Sequence, residues 1–333
     1  MALAEAATLD NTLGLPCRAQ RFIAATTHDE IRTALVMAED EAVPLNIVGG
    51  ASNLILAPRL SGVTLQVASD DWWWEESDDQ TILVYAQAGM PWHDLVTACV
   101  ERGWWGIENL ALIPGHVGAA PIQNIGAYGV ELADVLDAVH VMHCDDGRDA
   151  VFSRDDCEFA YRDSIFKRAL AGRVVVTQVV LRLSRRPAPR LGYGDLAKRV
   201  SVHPEVQEIF DAVCAVRREK LPDPDVLGNA GSFFTNPVLE VTQAECLLRE
   251  YPAMPHFPQP DGRVKLAAGW LIERCGFKGT RWGAFGVHER QALVLVHFGG
   301  GDKQELLALA DHVRDTVYQV FGVLLEREPR LMG

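Results

Sequence analysis

Apolar residues in the first third of the chain alternate between helical and strand spacing. Thr27 and Glu30 form a capping-box pattern ahead of Ile31, Ala34, Leu35 and Ala38, which share one face and predict an amphipathic helix. After Pro44 the short run Leu45 to Val48 predicts a strand that enters Gly49-Gly50-Ala51-Ser52-Asn53 directly. Ile82 to Ala88 predicts another strand, and Trp92, Leu95, Val96 and Cys99 mark a helix ending near Gly103. Strands are expected again at 135–142, 150–152 and 174–183, with a turn at Asp145-Asp146-Gly147. A helix follows from about Glu205 to Lys220, with Val206, Ile209, Phe210, Val213 and Cys214 inward, and Leu221-Pro222-Asp223-Pro224-Asp225 breaks it. Beyond that break the pattern predicts a helix over 265–275 closed by Gly276, a strand over 292–298, a long amphipathic helix from Lys303 to Phe321 ended by Gly322, and a last strand over 323–331. Mixed elements of this kind indicate an α/β or α+β protein in layers.

Composition narrows the function classes. The 333 residues set a prior of about two domains. Lys plus Arg number 31 against 45 Asp plus Glu, a net charge of −14, which argues against wrapping nucleic acid or lying on an anionic membrane. Any anionic ligand therefore needs a local basic site. No apolar run approaches the ~18 to 20 residues of a membrane span, and the first ten residues lack the cations of a targeting peptide, so a cytoplasmic protein is expected. Seven scattered cysteines without a C-x-x-C pair suggest buried free thiols.

Several motifs invite chemistry and are weighed against plainer roles. Gly192-Tyr193-Gly194-Asp195-Leu196-Ala197 fits the dinucleotide fingerprint but follows Arg185 to Arg190, which is no core strand. Gly299-Gly300-Gly301 leads into Asp302 and Glu305, which cap a helix and fill the place a phosphate would take. His140 and His143 point to opposite faces of a strand and do not make a metal site. Trp72-Trp73-Trp74 among acidic neighbours reads as an exposed edge strand rather than a carbohydrate platform. The Gly49 to Asn53 loop is better placed, because converging backbone N–H groups suit a pyrophosphate. The stretch from Ile113 to Gly129 strengthens it: four glycines and two prolines in 17 residues exclude a regular helix or a central strand and suit packing against a flat cofactor. Arg162 lies among apolar neighbours, where an ion pair with Asp163 is the plain reading; Ser232 sits in what could be an ordinary turn; Glu326 and Glu328 share one face of the last strand.

Taken in order, Asn11-Thr12-Leu13-Gly14, Gly49 to Asn53, Glu108-Asn109-Leu110, Ile113 to Gly129, Tyr161 to Phe166, Tyr193 to Leu196, Lys220 to Pro224, Gly228 to Pro237, Lys265 to Ile272 and Leu325 to Arg330 resemble the motifs of the UDP-N-acetylenolpyruvoylglucosamine reductases, over nearly the whole chain. That family makes UDP-N-acetylmuramate for bacterial peptidoglycan. The resemblance implies an α+β fold, with an FAD-binding domain of the vanillyl-alcohol-oxidase type made of two α/β subdomains plus a separate α+β substrate domain. The expected divisions are 1–70, 71–220 (rejoined by 322–333) and 221–321.

It also implies an FAD-dependent UDP-N-acetylmuramate dehydrogenase using NADPH, with non-covalent FAD, acting as a cytoplasmic monomer without nucleic-acid or membrane partners. By the family motifs Arg162 and Glu328 stabilise charge and Ser232 donates a proton. FAD would be held by Gly49, Gly50, Ala51, Ser52, Asn53, Pro114, Gly115, Gly118, Ala119, Ile122, Gln123, Asn124 and Gly126. The UDP-sugar enolpyruvyl ether would meet Tyr128, Tyr193, Arg217, Lys220, Asn236, Phe257, His288 and Gln291. Arg217 and Lys220 are three apart on one helix and suited to one phosphate group. Phe257 replaces the tyrosine expected on the lid loop of the longer family type, and His116 lies near the flavin loop without implying covalent attachment. An oxidase on the same fold would need no UDP site, and a sensor without turnover would need none of Arg162, Ser232 and Glu328.

Overall fold

A computed structural model of the chain describes residues 2–333. Among the described residues six α-helices form, α1 (His28–Asp40), α2 (Trp92–Val100), α3 (Val206–Lys220), α4 (Val241–Glu250), α5 (Ala268–Arg274) and α6 (Lys303–Phe321), with side-chain N-caps from Thr27 on α1 and Asp302 on α6. The architecture is α+β and separates into two compact units. One contains residues 2–9, 18–52 and 59–219; the other contains 10–17, 53–58 and 220–333.

The first unit holds two sheets. Arg18–Ala25, Arg59–Val67 and Leu45–Val48 run parallel, and Ala2–Thr8 adds antiparallel at the edge. Helix α1 buries Ile31, Ala34, Leu35 and Ala38, the predicted face, in the same core as Ile23, Val63 and Leu65. The second sheet is antiparallel, in the order Asp149–Ser153, Leu136–His143, Val174–Ser184, Thr81–Gln87, Trp72–Glu76. Its core also takes in α2, α3 and the Ile107 to Val130 region. The tryptophan strand is an edge strand, as expected, with Trp73 and Trp74 exposed and the Arg102 guanidinium 4.8 Å over the Trp72 ring.

The second unit packs α4, α5 and α6 with a four-stranded antiparallel sheet (Gly228–Ser232, Val294–His297, Phe285–Val287, Arg281–Trp282) and a three-stranded one (Val238–Leu239, Val264–Leu266, His256–Pro258). Leu13, Leu15 and Ile55, from early in the sequence, are buried in this core.

Four expectations change. The helix over 265–275 begins only at Ala268, because Val264–Leu266 pairs with two neighbouring strands. The last strand shrinks to Arg330–Met332, parallel to Leu54–Leu56, with one earlier bridge at Arg327. The 322–333 tail, expected to rejoin the flavin region, groups with the second unit, since that pairing and the burial of Val323 and Leu325 tie it to the α6 core. Cys246 is exposed on α4, whereas Cys17, Cys99, Cys157 and Cys214 are buried free thiols. Among the described residues no helix is long and apolar enough to cross a membrane.

Candidate functional site

Two irregular loops of the first unit lie backbone against backbone. The strand Leu45–Val48 delivers Gly49 and Gly50, and Gln66 Nε2 donates to the Gly49 carbonyl at 2.8 Å. A Cβ on Gly50 would lie 3.1 Å from Gly115 Cα, and one on Gly115 would lie 2.5 Å from Ser52 Oγ. Gly115 also has φ +108°, a conformation that L side chains rarely adopt. Ser52 Oγ donates to the Pro114 carbonyl at 3.0 Å, which ties the loops together. A Cβ on Gly118 would meet Ala88 Cβ at 2.5 Å, and one on Gly49 would lie 3.4 Å from Ala119 Cβ. Close approach thus requires glycine at 118 and backbone conformation requires it at 115, while Gly50 is tightly packed and Gly49 makes ordinary contact. The His116 ring packs on Gly50, its Nδ1 buried without a partner, and burial depresses its pKa.

The Ile113 to Gly129 region folds into a 3-10 turn at Val117–Gln123 and two short strands at Gly126–Ala127 and Val130–Glu131. Ile122 and Gln123 are half-buried, and the Ile122 carbonyl accepts from Ser164 Oγ at 2.7 Å. Asn124 has φ +47° and spends its amide on the protein, donating to Glu131 Oε2 and the Ala160 carbonyl while accepting from Ala133 N–H. Ala51, Asn124, Tyr128 and Arg162 all hold positive φ, so four of the predicted site residues store backbone strain.

Arg162 donates to the Gly126 carbonyl at 2.6 Å and lies 5.2 Å from the Tyr161 ring centroid. The ion pair with Asp163 does not form; Asp163 pairs with Arg168 instead. Arg217, on α3, is half-buried, yet its Nε is shut off from solvent and has no hydrogen-bond partner. Burial pushes its pKa down, the Tyr128 hydroxyl opposes that, and the positive charge of Arg162 adds to it. A half-buried guanidinium whose Nε has no hydrogen-bond partner suits an anion. The Tyr128 and Tyr193 rings meet edge-on at 5.7 Å in the same unit.

In the second unit, Gly228–Ser232 bulges against Val294–His297, with Gly231 at φ +68°. Phe233 and Phe234 are fully buried and anchor the end of that strand. The tail crosses beside it: Glu328 N–H donates to the Phe233 carbonyl at 3.0 Å, and Thr235 N–H to the Glu326 carbonyl at 3.0 Å. The tail backbone at Glu328, remote in sequence, therefore runs beside Phe233, the residue that follows Ser232, with Glu328 half-buried and Glu326 exposed. Asn53, the last residue of the predicted pyrophosphate loop, belongs to this unit, and its amide reaches the Glu328 carbonyl at 3.5 Å.

Asn236 Oδ1 accepts from Ala268 N–H at 2.9 Å and fixes the start of α5. Gln291 packs against the same turn, where a Cβ on Gly269 would be 3.1 Å from its Oε1. His288 is buried with an unpartnered Nδ1, and burial depresses its pKa. Phe257 is exposed on the strand His256–Pro258, and Lys220 is exposed at the end of α3. Gln66, Ser164 and Glu131 carry no signal in the sequence, yet they hold the loops through side-chain bonds, across 17 and 42 residues for the first two and within the loop for Glu131.

Comparison with known proteins follows the same division. A family model described as an FAD binding domain matches residues 19–149, and one described as the UDP-N-acetylenolpyruvoylglucosamine reductase C-terminal domain matches residues 223–332. The UDP-N-acetylenolpyruvoylglucosamine reductase of Pseudomonas aeruginosa is 46% identical over 325 residues, covering 96% of both chains. That of Alcanivorax borkumensis is 48% identical over 328 residues, covering 97% of this chain and 93% of its own. The crystal structure of the Thermus caldophilus reductase superposes with a TM-score of 0.67 at 24% identity, covering 97% of this chain and 96% of that one, and so shares the fold.

Proposed function

The chain belongs to the UDP-N-acetylenolpyruvoylglucosamine reductase family, and on that premise we propose that it reduces the enolpyruvyl ether of UDP-N-acetylglucosamine to UDP-N-acetylmuramate with NADPH, for peptidoglycan synthesis. The observation that supports the chemistry is the backbone pairing of the tail at Glu326 and Glu328 with Phe233 and Thr235, just beyond Ser232.

FAD belongs with the first unit, where residues 19–149 match an FAD binding domain and the glycine loops at Gly50 and Gly115 are held tightly together. Gly49, Gly50, Ala51, Ser52, Asn53, Pro114, Gly115, Gly118 and Ala119 would hold its pyrophosphate, with Ile122, Gln123 and Gly126 further along the same segment. Asn124 serves that surface by shaping the backbone, since its amide is already engaged. The chemistry supplied by bound FAD is hydride transfer, first from NADPH and then to the enolpyruvyl double bond.

The remaining work falls to side chains. Hydride arrival at one carbon of the double bond drives negative charge toward the carbon bearing the carboxylate, and Arg162 with Glu328 stabilises that enolate-like charge. Ser232 gives its proton to the carbon and is reprotonated from solvent, leaving a saturated lactyl ether. Arg217 and Lys220 bind the diphosphate; Tyr128, Tyr193, Asn236, Gln291 and His288 frame the sugar and carboxylate; Phe257 covers them with a ring that lacks a hydroxyl. His288, kept neutral by its burial, would meet the ligand by hydrogen bonding rather than by charge. In this reading the enzyme works as a cytoplasmic monomer.

The test separates the two half-reactions. Purified protein should carry flavin absorbance and oxidise NADPH in the presence of the enolpyruvyl sugar nucleotide. Ser232→Ala should retain flavin reduction by NADPH while reoxidation by the sugar nucleotide slows by about 10²- to 10⁴-fold. Equal loss in both halves would refute the proton-donor role.

A further inference from the structure

Asn109 has no role in the reaction described above, yet it makes an unusual set of contacts. It lies in the 3-10 turn Glu108–Leu110 and is completely buried. Its Nδ2 donates to two carbonyls on two different loops, that of Tyr128 at 2.9 Å and that of Arg190 at 2.8 Å. The Tyr128 loop forms the turn between Gly126–Ala127 and Val130–Glu131, and Tyr128 itself holds φ +49°. The Arg190 loop leads within three residues to Tyr193, whose ring meets that of Tyr128 edge-on at 5.7 Å. The amide orientation is fixed by chemistry: turned over, Oδ1 would face two carbonyl oxygens. Oδ1 itself is buried and unpartnered, so the site accepts a polar cost in order to keep two donors on one nitrogen.

We infer that Asn109 is a positioning residue for substrate recognition: by tying the Tyr128 and Tyr193 loops to one buried amide, it sets the distance between the two tyrosines that grip the sugar nucleotide. Asn109 itself touches neither substrate nor flavin. The inference rests on the assignment of Tyr128 and Tyr193 to the sugar nucleotide. Aspartate cannot substitute, because it has no N–H to donate and would turn oxygens toward both carbonyls. Serine, with one donor, can hold only one loop at a time.

Asn109→Ala and Asn109→Ser in the flavin-loaded protein test this. Loss of the tie should raise KM for the enolpyruvyl sugar nucleotide by about tenfold while kcat changes by less than about threefold, with the serine variant intermediate. Flavin content should stay at the wild-type level. Amide hydrogen exchange should quicken in segments 126–131 and 189–195 and remain unchanged in α6. A variant with wild-type KM, or with kcat and KM both altered and flavin lost, would overturn the inference. Should the alanine variant not fold, the serine variant decides by the same criteria. Should wild-type protein fail to turn over the sugar nucleotide, the proposed function falls, and hydrogen exchange alone judges the tie: unchanged exchange in both segments would overturn it.

Discussion

Glu108, next to Asn109, is 1% exposed, and its Oε2 accepts from Gly106 N–H at 2.7 Å. Burial pushes its pKa up, with the Gly106 hydrogen bond and the positive charge of Arg190 opposing that. The consequence for stability has a definite sign. A carboxyl raised above its unfolded value holds its proton in the folded state, so its contribution is fully present below about pH 4.5 and is lost as pH rises through the folded pKa. Glu108→Gln keeps the acceptor for Gly106 and cannot ionise. Its melting temperature should match wild type near pH 4 and exceed it increasingly toward pH 8. Each pH unit by which the carboxyl is raised is worth about 1.4 kcal/mol, or roughly 2–4 °C for a protein of this kind. Thermal melts across that range check it, and a gap that narrows with rising pH would mean that the fold favours the ionised form.

Among the elements, α6 was the most legible in sequence. Asp302 Oδ1 accepts from the N–H groups of Gln304 and Glu305 at 2.8 and 2.9 Å, and Gly322 closes the helix at φ +67°. Leu306, Leu309, Ala310, Val313, Val317 and Phe321 form the buried face. The capping box is only half made, because Glu305 Oε1 turns to Ala284 N–H at 2.9 Å. Asp302→Ala should therefore cost about 1 kcal/mol through the loss of two capped donors, read as a lower denaturant midpoint with an unchanged slope. A neutral result would mean that solvent caps this end as well as the aspartate does. Local signals fix such helices and fail where partners are remote. Val264–Leu266 carries a helical pattern but pairs as a strand, and the charged tail after Leu325 stays extended with little ladder. The same limit governs the site. The glycine loops are legible because close backbone approach demands glycine, whereas the bonds of Asn109 span 19 and 81 residues and leave no periodicity to read. Arg162 looked like half of a local ion pair, and Arg168, five residues beyond Asp163, takes the carboxylate.

At the scale of the whole molecule the formal charge of −14 works against the ligands the proposed function requires, since NADPH and the sugar nucleotide are both polyanions. On the proposed assignment the attraction would come from a few groups, the half-buried Arg217 and the exposed Lys220, and would act over a few ångströms. The repulsion comes from the sum of all charges and acts at long range. Added salt screens the two unequally, because the Debye length falls from about 30 Å at 0.01 M to about 8 Å at 0.15 M, longer than contact but shorter than the protein. The second-order rate of flavin reduction by NADPH should therefore rise by about two- to fivefold between those ionic strengths as repulsion is removed. It should fall only at higher salt, when local attraction by basic groups is screened as well. Stopped-flow measurements in both sodium chloride and tetramethylammonium chloride separate general screening from any effect of a particular cation. A rate that declines from the lowest salt upward would mean that the local basic groups, and not the acidic surface, set the field that an arriving nucleotide meets.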